Sequence, residues 1–274
     1  MKILNEKTYA EKMIKHGFMQ KKYEYELKIL AKYYFFQKNV GEELKNKLLD
    51  FCKLYIKNFN EIKYMNMLKR SFQFAETNSL FIVQPVRITQ LEIDEIKTLN
   101  DLKVEKVAFI LLVLSKINRQ SYELYLNDKV EYYKRENKST DNIYISPDYI
   151  VKDKISSVFI LAKIYLKKID KSEIFKLLID KGFIEMSESC KYKILYVKDD
   201  DTLLMLDNFK FFNDFVLEYE KLIGDNIGYC ECSKPIRITS SRSKYCKECW
   251  KIRERELKRD WKRKKASRSL IIPS

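Results

Sequence analysis

The chain has 274 residues, of which 46% are hydrophobic and 14% aromatic. This apolar content excludes a disordered chain, and the length suffices for one large domain or for two to three smaller ones. Five glycines and four prolines are few for this length, and so low a content of turn residues predicts a mainly α-helical fold.

Positive charge is concentrated at the end of the chain. The net charge is +15, and residues 228–274, with 15 basic and 5 acidic side chains, contribute +10 of it. A local excess of this kind is typical of proteins that bind a polyanion. A membrane surface is the competing polyanion, but the segment lacks the broad apolar face of an interfacial helix. The longest apolar run, Val107–Leu114, is too short to span a bilayer, and the N-terminus has no secretory signal, so a cytoplasmic location is expected.

Residues 1–100 are predicted to form a helical N-terminal region. Apolar residues recur at helical spacing in three segments: Tyr23–Phe36, Glu42–Ile56 and Glu61–Ala75. The stretch SLFIV at residues 79–83 is predicted to be a short strand or an extended connection. Thr89 and Glu92 then have the spacing of a capping box, which predicts that a helix begins there.

Residues 101–223 are predicted to form a winged helix-turn-helix module. Its first helix would be the strongly apolar segment Asp101–Asn118, followed by a loop or a solvent-exposed helix over residues 119–142 and a short strand at residues 143–145. Ser146 and Pro147 then suit the cap and first position of a further helix, which is expected to run through about Leu166. A second helix and then two strands come next, and this order is that of a winged helix.

The second helix of this module is predicted over Lys171–Lys181. Asp170 and Glu173 have capping-box spacing before it, and Gly182 stands where a helix C-cap needs a positive φ. As a recognition helix it would present Lys171, Ser172 and Lys176. The neighbouring acidic side chains weaken its charge, and winged helices also serve as protein-interaction modules, so contact with DNA and contact with protein both stay open.

Three aspartates, Asp199–Asp201, come after the last predicted strand. Such a cluster could bind the catalytic metal of a nucleotidyl-transfer enzyme. The alternative is a solvated acidic loop, and we favour it because the sequence offers neither a second carboxylate cluster nor a glycine-rich phosphate loop. The expectation is therefore a protein without enzymatic activity.

Residues 224–274 are predicted to form a small zinc ribbon and a basic helix, joined to the module by the linker GDNIG (residues 224–228). Cys230-x-Cys232 and Cys246-x-x-Cys249 supply two close pairs of thiols, as structural zinc requires. Four reduced surface thiols are the alternative. Four cysteines leave no open coordination position, and His16, the only histidine, is remote, so one structural Zn²⁺ is expected. Cys52 lies on an apolar helix and is predicted to be a core residue.

The basic segment after Cys249 has a pattern on a helical projection. Trp250, Leu257 and Trp261 fall on one narrow stripe, and most cations fall on the opposite arc. This separation favours a helix that tracks phosphates, although a solvated end that only aids solubility is the alternative. The predicted nucleic-acid-binding residues are Arg242, Lys244, Lys251, Arg255, Lys258, Arg259, Lys262, Arg263, Lys264 and Lys265.

The ending KYCKECWKIRERELKRDWKRKK, together with AFILLVLSKI and IFKLLIDKGFIEM, resembles a group of proteins carried by phages and integrative elements of low-GC Gram-positive bacteria. Those proteins have a winged-helix region and end in a zinc ribbon followed by a basic helix. The first cysteine pair departs from their C-x-x-C pattern by one residue. The resemblance implies a bacterial or phage-encoded protein of a mobile element that binds nucleic acid, and it implies no reaction.

Two functions are therefore considered, and the first is favoured over the second. The first is non-enzymatic binding of nucleic acid, DNA before RNA, in the regulation or replication of a mobile element. The second is an interaction or inhibitor protein that acts on a host nucleoprotein complex, such as an RNA polymerase or a defence nuclease of the CRISPR type. The oligomeric state is left open by the sequence.

Overall fold

The structure is a computed structural model that describes residues 5–20, 23–140, 148–151, 154–186, 191–198, 200–207, 209–240 and 243–269, with the side chains of the last helix described to residue 263. Ten α-helices make up most of this described part, which confirms the predicted mainly helical fold class. The strands are short, and within the same residues they form one three-stranded and two two-stranded sheets.

Four helices form the N-terminal part, and their bounds are α1 (Glu6–His16), α2 (Tyr23–Phe36), α3 (Gly41–Tyr55) and α4 (Glu61–Thr77). The predicted helix over α2 is confirmed at both ends, and those over α3 and α4 are confirmed to within two residues. These helices enclose one hydrophobic cluster, in which Met13, Leu30 and Leu48 are almost fully buried. Cys52 is also fully buried there, as predicted for a core residue.

The chain then runs extended into strand β1 (Val86–Thr89) and helices α5 (Gln90–Lys97) and α6 (Leu102–Arg135). The capping box at the start of α5 is confirmed, because the Thr89 hydroxyl accepts from the Glu92 NH and the Glu92 carboxylate accepts from the Thr89 NH at 2.9 Å. The apolar helix predicted to end at Asn118 continues to Arg135. The solvent-exposed helix, not the loop, is therefore the correct alternative for residues 119–135.

The next elements are strand β2 (Tyr149–Val151), helices α7 (Ile155–Leu161) and α8 (Lys168–Asp180), and strands β3 (Ile184–Met186) and β4 (Tyr192–Ile194). The strands pair antiparallel in the order β2-β4-β3. The strand predicted at residues 143–145 lies outside the described residues. Gly182 has a φ of 72° at the end of α8, which confirms its predicted conformation.

Three predicted helix boundaries in this part are wrong. Ser146 and Pro147 lie outside the described residues, but the helix expected to begin there begins at Ile155, after strand β2. Helix α7 ends five residues before Leu166, because Lys163 adopts a left-handed φ of 56° and the Ile164 NH bonds back to the Phe159 carbonyl. Helix α8 begins at Lys168 and not at Lys171. The extended residue before α8 is Lys167, which makes no side-chain cap, and Asp170 lies within the first helical turn. An acidic side chain there stabilises the helix N-terminus through its dipole.

The last elements are strand β5 (Thr202–Leu206), a 3-10 helix (Phe209–Asp214), helix α9 (Val216–Leu222), strands β6 (Ile227–Tyr229) and β7 (Pro235–Arg237), and helix α10 (Lys247–Ser269). Strand β5 pairs antiparallel with β1, more than 110 residues earlier in the chain. The predicted linker GDNIG is partly structured, because β6 begins within it and Ile227 is buried.

A second hydrophobic cluster forms around the first half of α6. It takes residues from β1 and α5 on one side and from α7, α8, the β2-β4-β3 sheet and α9 on the other, and Phe109, Phe159 and Tyr219 are its largest fully buried side chains. Residues 83–99 thus pack with the elements from α6 onward. The division of the chain at residues 100 and 223 stays a prediction.

Candidate metal centre and basic helix

The four predicted zinc ligands lie on two backbone turns. Cys230 and Cys232 lie in the turn between β6 and β7, which is closed by hydrogen bonds from the Cys230 NH to the Lys234 carbonyl at 2.9 Å and from the Ser233 NH to the Cys230 carbonyl at 2.7 Å. Cys246 and Cys249 lie at the start of α10, where the Trp250 NH donates to the Cys246 carbonyl at 2.8 Å. The hairpin and the helix therefore each contribute one pair.

The geometry of the four sulfur atoms fits a metal ion. All four lie within 4.8 Å of one another, and the Sγ atoms of Cys232 and Cys246 are 3.8 Å apart. A tetrahedron with metal–sulfur bonds of about 2.3 Å has sulfur–sulfur edges of about 3.8 Å. A disulfide would need about 2.05 Å, so these are free thiols. The cluster Cys230, Cys232, Cys246 and Cys249 could hold a metal ion.

The acidities of the thiols also fit a cation. Burial raises the pKa of Cys230, but backbone hydrogen bonds from Cys232 and Cys246 outweigh it and bring that pKa to about 7. A hydrogen bond with Cys232 and others within the cluster raise the pKa of Cys249 to about 12. Hydrogen bonds among the thiols, and to a smaller extent the charge of Cys230, therefore oppose the loss of a proton from Cys249. A divalent cation at the centre would remove this opposition, because it binds cysteine as thiolate.

The cysteine module, residues 227–249, is anchored to the helical core by a buried carboxylate. Glu220 on α9 is fully buried, and its two oxygens contact Lys106 Nζ of α6 at 2.5 Å and the guanidinium of Arg237 on β7. Arg237 also lies 3.6 Å from Asp225. The second strand of the module is thereby joined through Glu220 to the longest helix of the protein.

Two further contacts fix the module in place. Lys234 lies between Asp214 at 3.5 Å and Glu248 at 3.4 Å, so it joins the first cysteine turn both to the 3-10 helix and to the start of α10. The Tyr229 hydroxyl donates to Glu218 of α9 at 2.7 Å. The orientation of α10 at its start thus depends on contacts with the core as well as on the cysteines.

Helix α10 presents its cations to solvent. Six of them occupy an arc of about 140° on the helix at about 100° per residue, and their side chains are exposed. This cationic ridge consists of Lys251, Arg255, Lys258, Arg259, Lys262 and Arg263. Within the ridge, Lys258 pairs with Glu254 at 2.8 Å and Arg263 lies 3.8 Å from Asp260. The others form no ion pair with a residue whose side chain is described.

The apolar stripe of α10, Trp250, Leu257 and Trp261, is also open to solvent. These side chains are 50%, 53% and 63% exposed. The Trp250 ring is 6.4 Å from the Tyr245 ring, and the Arg253 guanidinium lies 5.3 Å over Tyr245. The sequence pattern correctly predicted a one-sided stripe, and each of its three side chains is at least half exposed.

The remaining predicted site residues are dispersed. Ser172 and Lys176 are exposed on α8, whereas Lys171 is half-buried with its Nζ 5.4 Å from the Phe159 ring. Lys244 is exposed just before the second cysteine turn. Arg242 and the side chains of Lys264 and Lys265 lie outside the described residues.

The predicted acidic cluster is described only in part. Asp200 and Asp201 are exposed, and Asp199 lies outside the described residues. Among the residues that the structure describes, the four cysteines are the one group of potential ligands close enough to share a metal ion. The solvated acidic loop remains the interpretation of Asp199–Asp201 that we prefer.

Comparison with protein families, with curated proteins and with solved structures finds no match to this chain. Within the described part of the chain, no helix has both the length and the apolar character needed to cross a membrane.

Proposed function

We propose that this protein binds nucleic acid without catalysis through a zinc-stabilised module that orients a basic helix. DNA is the favoured ligand and RNA the alternative. The observation that carries the proposal is the position of the four cysteines, which join the β6–β7 hairpin to the first turn of α10. The metal would be one structural Zn²⁺, because four thiolates satisfy its tetrahedral preference and leave no position for a substrate. Cationic side chains on α10 would then contact phosphates.

The central part of the chain supports a winged-helix module in the same proposal. The element order α6, β2, α7, α8, β3, β4 and the sheet order β2-β4-β3 support this part of the proposal, in which α8 would be the recognition helix. Ser172 and Lys176 are the exposed polar candidates there. We extend the proposal to the regulation or replication of a mobile element in a bacterial cell, as the sequence resemblance implies.

A second candidate function is interaction with a host nucleoprotein complex. It is favoured by three exposed large apolar side chains around the α7–α8 turn, where Ile160, Tyr165 and Ile169 are 61%, 85% and 72% exposed. Exposed large apolar side chains that lie in one part of the sequence would suit a protein contact. In this alternative the α7–α8 turn would bind the protein partner, and the basic helix would contact its nucleic acid.

The test of the first function is a charge deletion with a matched control. Replacing Arg255, Arg259 and Lys262 by alanine removes three exposed cations of the ridge, and the control replaces Lys53, Lys57 and Lys69, three exposed lysines of the N-terminal part. The ridge variant should lose DNA affinity and lower the salt dependence of binding by about 2.7 in log–log slope, since each phosphate contact contributes about 0.9. Equal affinities for the two variants would refute the proposal.

The metal is tested separately. Elemental analysis of the intact protein should return about one zinc per chain, and Cys232→Ser should lower that content. A protein that carries no zinc and folds unchanged in a chelator would refute the zinc module. If instead the protein binds free DNA weakly but co-purifies with a nucleoprotein complex in a manner that depends on Tyr165, the second function is supported.

A further inference from the structure

The two tryptophans of the chain, Trp250 and Trp261, both lie on α10, and both are at least half exposed. Exposed indoles are unusual because a tryptophan side chain contributes most to stability when it is buried. Both belong to the apolar stripe, on a helix whose other face is the cationic ridge. This combination raises the question of which ligand would cover the stripe.

Charge complementarity selects the chemistry of the ligand. On one side of the stripe, Glu254 is paired with Lys258 at 2.8 Å and Lys251 follows, and on the other side lies Arg253. Among the described side chains, the unpaired charges beside the stripe are therefore positive, and a second copy of this helix would bring like charges together. A polyanion would instead be attracted on both borders. A membrane surface is one polyanion, but the stripe is only about 40° wide, too narrow for an interfacial helix.

Nucleic acid is the polyanion that also offers aromatic faces. In a duplex the base faces are covered by neighbouring base pairs, so exposed indole rings could contact only the sugar–phosphate backbone and the groove edges. In a single strand the faces are accessible, and stacking on aromatic side chains combined with a cationic groove is the usual mode of binding.

We propose that the apolar stripe of α10 is a stacking site for single-stranded nucleic acid, with bases on Trp250 and Trp261 and phosphates on the flanking cations. This inference rests on the proposed function and assigns it a substrate class. Trp250 and Trp261 are eleven residues apart, which is about 16.5 Å along the helix axis. A stacked strand advances about 3.4 Å per nucleotide, so the two indoles would contact bases about five nucleotides apart.

The second cysteine turn positions the first of these rings. Trp250 directly follows Cys249, its backbone NH donates to the Cys246 carbonyl at 2.8 Å, and its ring lies 6.4 Å from the Tyr245 ring. A metal ion on the cysteines would therefore fix the backbone of one stacking residue. The stacking site would thus be ordered at the end nearest the module.

The experiment uses tryptophan fluorescence, because every tryptophan of the chain belongs to the proposed site. The full-length protein is titrated with a mixed-sequence single strand of about 16 nucleotides and, separately, with its duplex. Labelled versions of both report total binding by anisotropy. The single strand should quench the fluorescence and the duplex should not. Trp261→Leu should weaken single-strand binding at least about fivefold and leave duplex binding unchanged.

The control variant is Tyr125→Leu, which removes an exposed aromatic ring from α6, outside the stripe, and should bind the single strand as the unaltered protein does. Binding of both nucleic acids without quenching would overturn the stacking site and leave the proposed function intact. Absence of binding to either would overturn both. A fluorescence response to vesicles that contain phosphatidylserine, without a response to the single strand, would show that the stripe is a membrane contact and would also overturn the inference.

Discussion

The contact between Glu220 and its two cations offers a quantitative test of how the cysteine module is attached. The change is Glu220→Gln, which keeps the volume of the side chain and removes its charge. Glu220 is fully buried, Lys106 is 14% exposed, and Arg237 is 50% exposed. The substitution therefore leaves one nearly buried ammonium group without its carboxylate, whereas the half-exposed guanidinium can still be solvated.

The size of the expected loss in unfolding free energy follows from this difference in exposure. Removing one partner of a buried ion pair costs about 3–5 kcal/mol, because the remaining charge is left uncompensated. Lys106 retains a little contact with solvent, so we expect about 3 kcal/mol for Glu220→Gln. For Arg237→Gln we expect less than about 1 kcal/mol, since an exposed ion pair contributes little and Glu220 keeps Lys106.

The assay is urea unfolding of the zinc-saturated protein, followed by circular dichroism, with the free energy of unfolding obtained for each variant. A double variant, Lys106→Met with Glu220→Leu, is the second control. It replaces the buried charges by apolar groups of similar size and should recover most of the loss. The reasoning is refuted if Glu220→Gln loses no more stability than Arg237→Gln.

Three further predictions concern the core. Gly17→Ala should lower the free energy of unfolding by at least about 1 kcal/mol more than Gly182→Ala in the same unfolding assay. Both glycines have a positive φ, but a Cβ at position 17 would also lie 2.5 Å from the Tyr55 ring. Cys52 should resist alkylation of the native protein, as measured by mass spectrometry, because burial raises its pKa to about 12 and suppresses the thiolate. Burial and a hydrogen bond to Glu105 raise the pKa of Tyr219 and keep it protonated in the folded protein. Tyrosines of the unfolded chain ionise above about pH 10. The free energy of unfolding should therefore fall as the pH rises above that value. Tyr219→Phe should make that fall shallower, as measured by urea unfolding at several pH values.

The features that the sequence predicted correctly are local ones. The capping box at Thr89 and Glu92 involves residues three positions apart, so its spacing alone specifies the hydrogen bonds. The grouping of the four cysteines could be inferred from two short spacings, each compatible with one turn. The apolar stripe of α10 required only the helical period.

The errors and omissions have physical causes. Asp170 is as favourable in the first turn of a helix as before it, so spacing could not distinguish a cap from a turn residue. Helix α7 ends near a lysine with a left-handed φ, and the conformational preference of lysine does not predict that φ. The contact between Lys106 and Glu220 joins residues 114 positions apart in the sequence, and β1 pairs with β5 across a similar sequence separation. No periodicity in a single sequence encodes such partners.

The pairing of β1 with β5 limits how the protein can be divided. A fragment that begins at residue 101 would lack β1 and α5, and it would expose the hydrogen-bonding groups of β5 together with the apolar surface that Ile88, Ile93 and Ile96 cover. An uncovered strand edge beside an apolar surface promotes association between chains. A fragment that begins near residue 80 keeps both. Recombinant work on the second half of the chain should therefore start before β1.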